Sequence, residues 1–269
     1  MKPLHRAAVA VLVTIYLAGL AAGWLAPAGY ARQFRDAPDA PPSLAFPLGT
    51  DALGRDAFAR LLYGSRVSLS LAPAAAALAT LIGALVGVTA GYLGGWVDTC
   101  LARVIDLFLS VPWLFLLLSV RAALPLNVPP FESVGITFLL LGLLGWAAPA
   151  HVLRAAAREV KSEDFMVQAK ARGCRRVRIL ALHLLPNLRP MLATQFWTSI
   201  PIFILSEANL GFLGLGVAEP LPSWGNLLGG LQNIDGVISC PWRLSPLLLL
   251  LVLVMTCFQM VIRLEDFSK

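Results

Sequence analysis

Long stretches without a single charged residue are the feature that most constrains this fold. Four such runs occupy residues 7–31, 67–97, 133–153 and 244–262. A helix needs roughly 20 apolar residues to cross the hydrocarbon of a bilayer, so each run is long enough to form a span. Only 13% of the residues are charged, against about a quarter in a soluble domain. The sequence therefore predicts an all-α, polytopic membrane protein.

Two further segments bring the predicted number of spans to about six. Residues 190–218 carry one charge, Glu207, and residues 107–120 carry none but are short for a span. The shorter segment fits either a re-entrant helix or, extended at both ends, a full crossing. Residues 7–23 also fit the apolar part of a secretory signal, but they form a long run with no clear cleavage site after it. We interpret them as a retained first helix.

The distribution of charge predicts the orientation. With a cytoplasmic N-terminus and six spans, the inside segments hold 14 Lys and Arg against 7 Asp and Glu, whereas the outside segments hold 7 of each. An excess of Lys and Arg marks the cytoplasmic side of a membrane protein. Both termini and residues 154–189 are therefore predicted to be cytoplasmic. The basic composition is explained by topology and gives no indication of nucleic-acid binding.

Two outside loops carry signals of local structure. In residues 32–66, a proline-rich first half precedes a short amphipathic helix, in which Asp56 and Arg60 are spaced to form an i,i+4 ion pair. In residues 219–243, Ser223 is placed to cap a short helix. Both loops are otherwise interpreted as packing at the membrane interface.

Residues 162–187, with the sequence SEDFMVQAKARGCRRVRILALHLLPN, hold five Lys and Arg within an apolar region. Ser162 is a favoured N-cap and Gly173 a favoured left-handed C′ residue, which predicts a short helix between them. A second, almost wholly apolar helix is predicted to start near Arg175 and to end before Pro186, which lacks the N–H that the helical ladder needs. Two helices joined by a tight glycine turn would form a bracket beside the membrane. Local physics alone also leaves open an ordinary loop whose arginines bind lipid.

The bracket resembles the EAA loop of inner-membrane permease subunits of binding-protein-dependent ABC importers. The matching residues are Phe165, Ala169, Ala171, Gly173, Ile179, His183, Leu185, Pro186 and Asn187. Residues 46–70, 91–112 and 206–228 resemble, in the same order, segments of the dipeptide, oligopeptide and nickel branch of that family. The chain is similar to the C-type permease of this branch.

The resemblance implies the type I importer permease fold and an inner-membrane location in a prokaryote. A second permease would complete the solute path, an extracytoplasmic binding protein would deliver the solute, and cytoplasmic ATPases would hold ATP and Mg²⁺. The substrate stays open among dipeptides, oligopeptides, nickel and other small solutes. We divide the chain into residues 1–66, the first helix and its loop, and residues 67–269, the permease core with a coupling loop at 154–189.

In the family, the loop is the coupling helix that seats in a groove of the ATPase. The residues implied to make this contact are Phe165, Gln168, Ala169, Arg172, Gly173, Arg175 and Arg176. The chain departs from the pattern, since Val167-Gln168-Ala169 stands where relatives usually have Glu-Ala-Ala. We hypothesise that the additional arginines contact acidic residues of the ATPase instead.

Glu207 is the one carboxylate within a predicted span. Burying an ionisable group in a bilayer costs free energy, so such a residue is a candidate for a functional site. Glu207 and the nearby Asn209 are therefore candidates for the solute path or its gate. The alternative for Glu207 is a hydrogen bond at a helix interface. Asp98, Arg103 and Asp106, at the second cytoplasmic turn, can pair with one another but are interpreted as solvated.

No phosphate-binding loop of the form G-x-x-x-x-G-K-[ST] occurs in the sequence, so the chain is predicted not to hydrolyse ATP itself. The three histidines and four cysteines show no metal-ligand spacing, and no cofactor is expected on this chain. A stand-alone secondary transporter or channel is the alternative function. Such proteins often contain repeated halves, and no internal repeat is visible here.

Overall fold

The structure, a computed structural model, is built of helices joined by irregular segments, the longest described one being the loop before residue 57. It describes residues 2–266 except 27, 126, 230–241 and 243–244, and it leaves out the side chains of residues 2–5, 170, 176, 177 and 261–266. Within this part no strand forms, and the only β pairing is two isolated bridges, Gln33 with Arg55 and Thr50 with Asp56.

Between residues 57 and 212 the helices follow one another with short connections. In chain order they are α1 (Lys2–Leu20), α2 (Ala22–Leu25), α3 (Ala57–Leu93), α4 (Gly95–Ser110), α5 (Trp113–Ala123), α6 (Pro130–Leu144), α7 (Ala147–Ser162), α8 (Asp164–Ala171), α9 (Arg176–Ile179), a π turn (Leu180–Leu184), α10 (Leu185–Phe212), α11 (Trp224–Leu228) and α12 (Ser245–Asp266).

Each of the six predicted spans corresponds to a helix or a pair of helices. Helix α3 and the segment Pro130–Ser162, which joins α6 and α7, are each long and apolar enough to cross a membrane. Helices α4 and α5 reach that length only together and meet at 84°, as expected for a broken span or a re-entrant segment. Helices α1 and α12 contain shorter apolar segments. The predicted all-α polytopic class is confirmed.

Helix α3 begins earlier than predicted. Asp56 caps it, because its Oδ1 accepts the N–H of Phe58 at 2.9 Å. The short amphipathic helix of the outer loop is therefore the first part of α3, and the division predicted at residue 66 lies within this helix. The predicted pair of Asp56 with Arg60 is wrong, since the carboxylate is used as the cap and the guanidinium binds Glu219 at 2.8 Å.

The chain divides into two compact units. Unit 1 consists of Met1–Pro73, Leu118–Leu139 and Ile200–Lys269, and unit 2 of Ala74–Leu117 and Leu140–Ser199. In unit 1, α1 packs against α12, with Ala8 and Cys257 buried at their contact. In unit 2, Ile105 of α4 packs with Trp146, at the start of α7, and with Ala150 within it.

A stripe of glycines lets α3 and α7 approach closely within unit 2. A Cβ atom at Gly83 would lie 2.8 Å from the Cβ of Pro149, and Cβ atoms at Gly87 and Gly91 would overlap backbone carbonyl oxygens of α7. Small residues four apart on one helix face permit such contact between membrane helices. This stripe was not predicted, although the spacing of its glycines is visible in residues 83–91.

Candidate functional site

The bracket predicted over residues 162–187 is present and is anchored in unit 2. Helix α8 buries Met166 and Ala169 in an apolar cluster that it shares with α3, α7 and the helix that follows. The other buried members are Val88, Tyr92, Leu153, Ala157, Ile179, Leu184 and Leu188. Full burial of a methionine side chain contributes about 1.5–3 kcal/mol. Helix α8 is thus fixed to the ends of the long helices and is not a free loop.

Gly173 reverses the chain between α8 and α9. Its φ is +76°, a conformation that glycine adopts without steric cost. The N–H of Cys174 donates to the carbonyl oxygen of Ala169 at 3.2 Å, which is the outer hydrogen bond of a Schellman motif. The predicted C′ glycine is confirmed. A Cβ here would meet no heavy atom within 4 Å, so the backbone conformation alone requires the glycine.

The prediction that Ser162 caps α8 is wrong. Ser162 is the last residue of α7, and its Oγ donates to the carbonyl oxygen of Glu159 at 2.7 Å. Glu163 is extended and separates the two helices. Its carbonyl oxygen accepts the N–H groups of Met166 and Val167 at 3.0 and 3.2 Å. Because α7 extends to Ser162, the serine hydroxyl bonds to a carbonyl oxygen of its own helix and does not cap α8.

The second helix does not end before Pro186, contrary to the prediction. The residues Leu180–Leu184 form a π turn, and the N–H of Leu185 donates to the carbonyl oxygen of Leu180. Pro186 then falls in the first turn of α10, where a residue without an N–H is tolerated. The helix continues from this point to Phe212. Single π turns of this kind are frequent at functional sites.

The residues predicted to contact the ATPase fall into an exposed and a buried group. Those exposed are Phe165, Gln168, Arg172, Gly173 and Arg175. Ala169 is 6% exposed and packs α8 onto unit 2, while the side chain of Arg176 lies outside the described residues. The outer face of α8 and the glycine turn therefore present an aromatic ring, an amide and two guanidinium groups.

An ion-pair cluster around the buried Asp98 joins α4 to α7 in the same unit. The Nε of Arg154 donates to Oδ1 of Asp98 at 2.5 Å, and the Nη2 of Arg158 contacts Oδ2. Asp98 is 4% exposed, so its interpretation as a solvated residue is wrong. The exposed Arg103 and Asp106 agree with that interpretation. Local spacing could not identify the partners of Asp98, because they lie 56 and 60 residues further along the chain.

Glu207 is fully buried in unit 1, where it binds the loop after α10. Its Oε1 accepts a hydrogen bond from the Oγ of Ser223 at 2.6 Å, and its Oε2 accepts the N–H of Gly225 at 3.1 Å. Ser223 caps α11 as predicted and forms a capping box with Asn226. Because both carboxylate oxygens bind this loop, the geometry supports the helix-interface alternative for Glu207. Asn209, two residues on, is exposed.

A second ionic cluster in unit 1 joins the loop before α3 to the loop after α10. Glu219 accepts hydrogen bonds from Arg55 at 2.7 Å and from Arg60 at 2.8 Å. Arg55 also binds Asp51 at 2.6 Å. The predicted orientation places this cluster on the extracytoplasmic side. It explains why Arg60, 3% exposed, is stable in its buried position.

Comparison with known families decides the identity of this arrangement. Residues 83–266 match the family described as the inner membrane component of binding-protein-dependent transport systems. The chain belongs to this family. It is therefore an inner-membrane permease component of an ABC importer, as the resemblance of the bracket implied.

Relatives with curated names come from the peptide branch. The permease is 30% identical over 239 residues to the dipeptide transport system permease protein DppC of Bacillus subtilis, covering 89% of the permease and 72% of that protein. It is 32% identical over 206 residues to the oligopeptide transport system permease protein OppC of the same organism, covering 77% and 65%. The corresponding OppC of Haemophilus influenzae is 32% identical, at 79% and 66% coverage. The permease thus spans 65–72% of the length of these relatives.

Solved structures support the same fold. A chain of the MetNI methionine ABC transporter in an inward-facing conformation superposes with a TM-score of 0.58 at 18% identity, covering 77% of the permease and 96% of that chain. A second crystal form gives a TM-score of 0.52 at 20% identity, covering 75% and 94%. The predicted type I importer permease fold is confirmed.

Proposed function

We propose that this permease forms, with a second homologous permease, the transmembrane path of an ATP-driven importer for peptides or similar small solutes. Residues 162–187 couple it to the ATPases. The family supports the general role, and the curated relatives support the choice of solute. The structural observation that carries the proposal is the bracket, with its buried anchor and its exposed outer face.

The anchor provides a way for force on α8 to reach the membrane. Met166 of α8 lies in the same buried cluster as Val88 of α3 and Leu153 of α7. Helix α3 and the α6–α7 segment are the long apolar helices of the described chain. Close-packed interiors transmit displacements instead of absorbing them. An ATPase that moves α8 would therefore displace the ends of the helices that contribute to the path, as rigid-body gating requires.

The partners follow from this role. Membership of this importer family supports binding of ATP and Mg²⁺ by cytoplasmic ATPase partners, and the sequence contains no phosphate-binding loop of its own. An extracytoplasmic binding protein delivers the solute. The excess of Lys and Arg in the predicted inside segments supports a cytoplasmic location for both termini and the bracket. Asn209 stays a predicted path residue, whereas Glu207 is accounted for by its hydrogen bonds to the loop after α10.

Uptake into proteoliposomes tests this function against a stand-alone secondary transporter. The complex that copurifies with the tagged permease is reconstituted, and uptake of a labelled dipeptide is measured with and without ATP at the ATPase side. We expect uptake only with ATP and the binding protein. Uptake that persists without ATP and follows an imposed proton or sodium gradient would contradict the proposal and support the alternative.

A further inference from the structure

Arg121 is a buried cation whose charge is not balanced within the described part of the chain. It lies near the end of α5 and is 1% exposed. Its Nη1 donates to the carbonyl oxygen of Pro125 and its Nη2 to the Oγ of Ser133, both at 3.3 Å. Its Nε has no hydrogen-bond partner among the described residues. None of the ion pairs formed by those residues includes Arg121.

Such an arrangement is costly without an anion. An arginine side chain stays protonated in proteins and cannot escape the cost of burial by losing its proton. A buried charge without a partner costs several kcal/mol, whereas a carboxylate in contact with it removes most of that penalty. Two long hydrogen bonds to neutral oxygens do not replace this contact. The side chain is therefore arranged to receive a negatively charged group.

A cavity lies directly beside this cation. Its volume is about 310 Å³, and its lining includes Arg121, Gly214, Gly216, Glu219 and Asn226. Small-molecule sites in proteins begin at roughly 300 Å³, so the cavity suits a small solute or one end of a longer one. The lining of the cavity is polar in part and includes the positively charged Arg121.

The remaining charge at the cavity does not neutralise Arg121. Glu219 is the acidic residue of the described lining, and its carboxylate is already bound by Arg55 and Arg60. The side chain of Glu219 is 50% exposed, so the cavity borders solvent at this point. By the predicted orientation, this is the extracytoplasmic side, where solute arrives.

We propose that the cavity beside Arg121 is a binding subsite for the carboxylate group of a small solute, such as the C-terminal carboxylate of a dipeptide. Arg121 supplies the charged hydrogen bonds, with Ser133 orienting its guanidinium. The biological role of the subsite rests on the proposed function, but the binding itself does not. The Arg121 charge selects for the carboxylate and discriminates against an otherwise identical neutral amide.

Two matched probes test the subsite without any substitution. N-acetyl-dialanine and N-acetyl-dialaninamide differ in size by very little, and only the first carries a charge. Binding of each is measured by calorimetry to the nucleotide-free complex in nanodiscs. A hydrogen bond to a charged group contributes about 1.5–3 kcal/mol, so we expect the acid to bind at least about tenfold more tightly. Equal affinity for the two probes would overturn the proposal.

Two substitutions test whether Arg121 is the origin of the preference for the acid. Arg121→Gln is expected to abolish the preference for the acid, whereas Arg103→Gln, at an exposed arginine of α4, is expected to keep it. A preference that survives in Arg121→Gln would exclude this cavity as its origin. If the acid is preferred but ATP drives no uptake in proteoliposomes, the proposed transport function fails and the carboxylate subsite stands.

Discussion

At the scale of single residues, Glu207 illustrates how a buried carboxylate can hold a loop in place. Its two oxygens accept hydrogen bonds from Ser223 and Gly225. Glu207→Ala leaves both donors buried without a partner, at about 1–3 kcal/mol for each. We expect a clear drop in the melting temperature of the purified permease, measured by tryptophan fluorescence.

Asn209→Ala serves as the control for this prediction. Asn209 lies on the same helix but is exposed, so replacing its side chain should leave the melting temperature unchanged. The replacement should reduce transport if the side chain faces the solute path. A Glu207→Ala protein that melts like the wild type but transports poorly would contradict the interface role and restore the path role.

Gly173 offers a second residue-scale prediction, because within this chain its backbone conformation is what requires a glycine. Gly173→Val forces a β-branched residue to a φ of +76°, at about 1–2 kcal/mol. Gly173→Asn introduces a side chain that tolerates this conformation. We expect the valine variant to lose ATP-dependent uptake by about 5- to 30-fold, and the asparagine variant to lose little. Equal uptake by the two variants would show that the turn geometry is not required for coupling.

Short sequence patterns predicted the conformation or capping role of residues whose hydrogen-bond partners lie nearby in the chain. The cap at Ser223 and the left-handed Gly173 are set by hydrogen bonds within a few residues. The partners of Glu207 were not predictable from local spacing, since Ser223 and Gly225 lie 16 and 18 residues further along the chain. The cavity beside Arg121 was not predictable either, since it is lined mainly by residues after α10. Asp56 shows the limit even at short range, because its spacing from Arg60 predicted an ion pair, whereas its carboxylate caps α3 and Arg60 binds Glu219.

At the scale of helices, Asp98 joins α4 to α7 through Arg154 and Arg158. Asp98→Asn removes the charge that both arginines contact, at almost the same volume. Breaking a fully buried ion pair costs about 3–5 kcal/mol, and we expect less here because the side chain of Arg158 is 51% exposed. The melting temperature should fall, whereas Asp106→Asn, at an exposed site of the same helix, should not change it. Equal melting of both variants would exclude a structural role for the cluster.

The contact of α3 with α7 depends on a different feature, the absence of side chains. A methyl group at Gly87 would overlap the carbonyl oxygen of Ala150, so Gly87→Ala should destabilise unit 2 by about 1–3 kcal/mol through overpacking. A methyl group at Gly135 of α6 would meet no heavy atom within 4 Å, and Gly135→Ala should leave stability the same or raise it. Thermal unfolding of the two variants side by side checks this, and a stable Gly87→Ala protein would show that the helices do not need their close approach.

Helix existence was predictable from the uncharged runs, whereas helix ends and breaks were not. Helix α3 extends well before its apolar run because Asp56 caps it. The helix after Gly173 continues past Pro186 because a π turn adjusts the hydrogen-bond ladder just before that residue. At both places the local sequence permits the helix either to end or to continue, and packing against the rest of the protein determines which of the two occurs.

At the scale of the whole molecule, the bracket is the proposed contact with the ATPases. The exposed face around Phe165 and Arg175 is the part of the bracket that the buried anchor does not cover.

The most direct measurement of this contact is copurification with tagged wild type, Arg175→Glu and Arg103→Glu, after mild solubilisation. We expect the second permease with all three, and the ATPases with wild type and Arg103→Glu but reduced with Arg175→Glu. Full recovery of ATPases and undiminished transport by Arg175→Glu would contradict the charged contact, and a permease that purifies alone yet transports without ATP would contradict the coupling role itself.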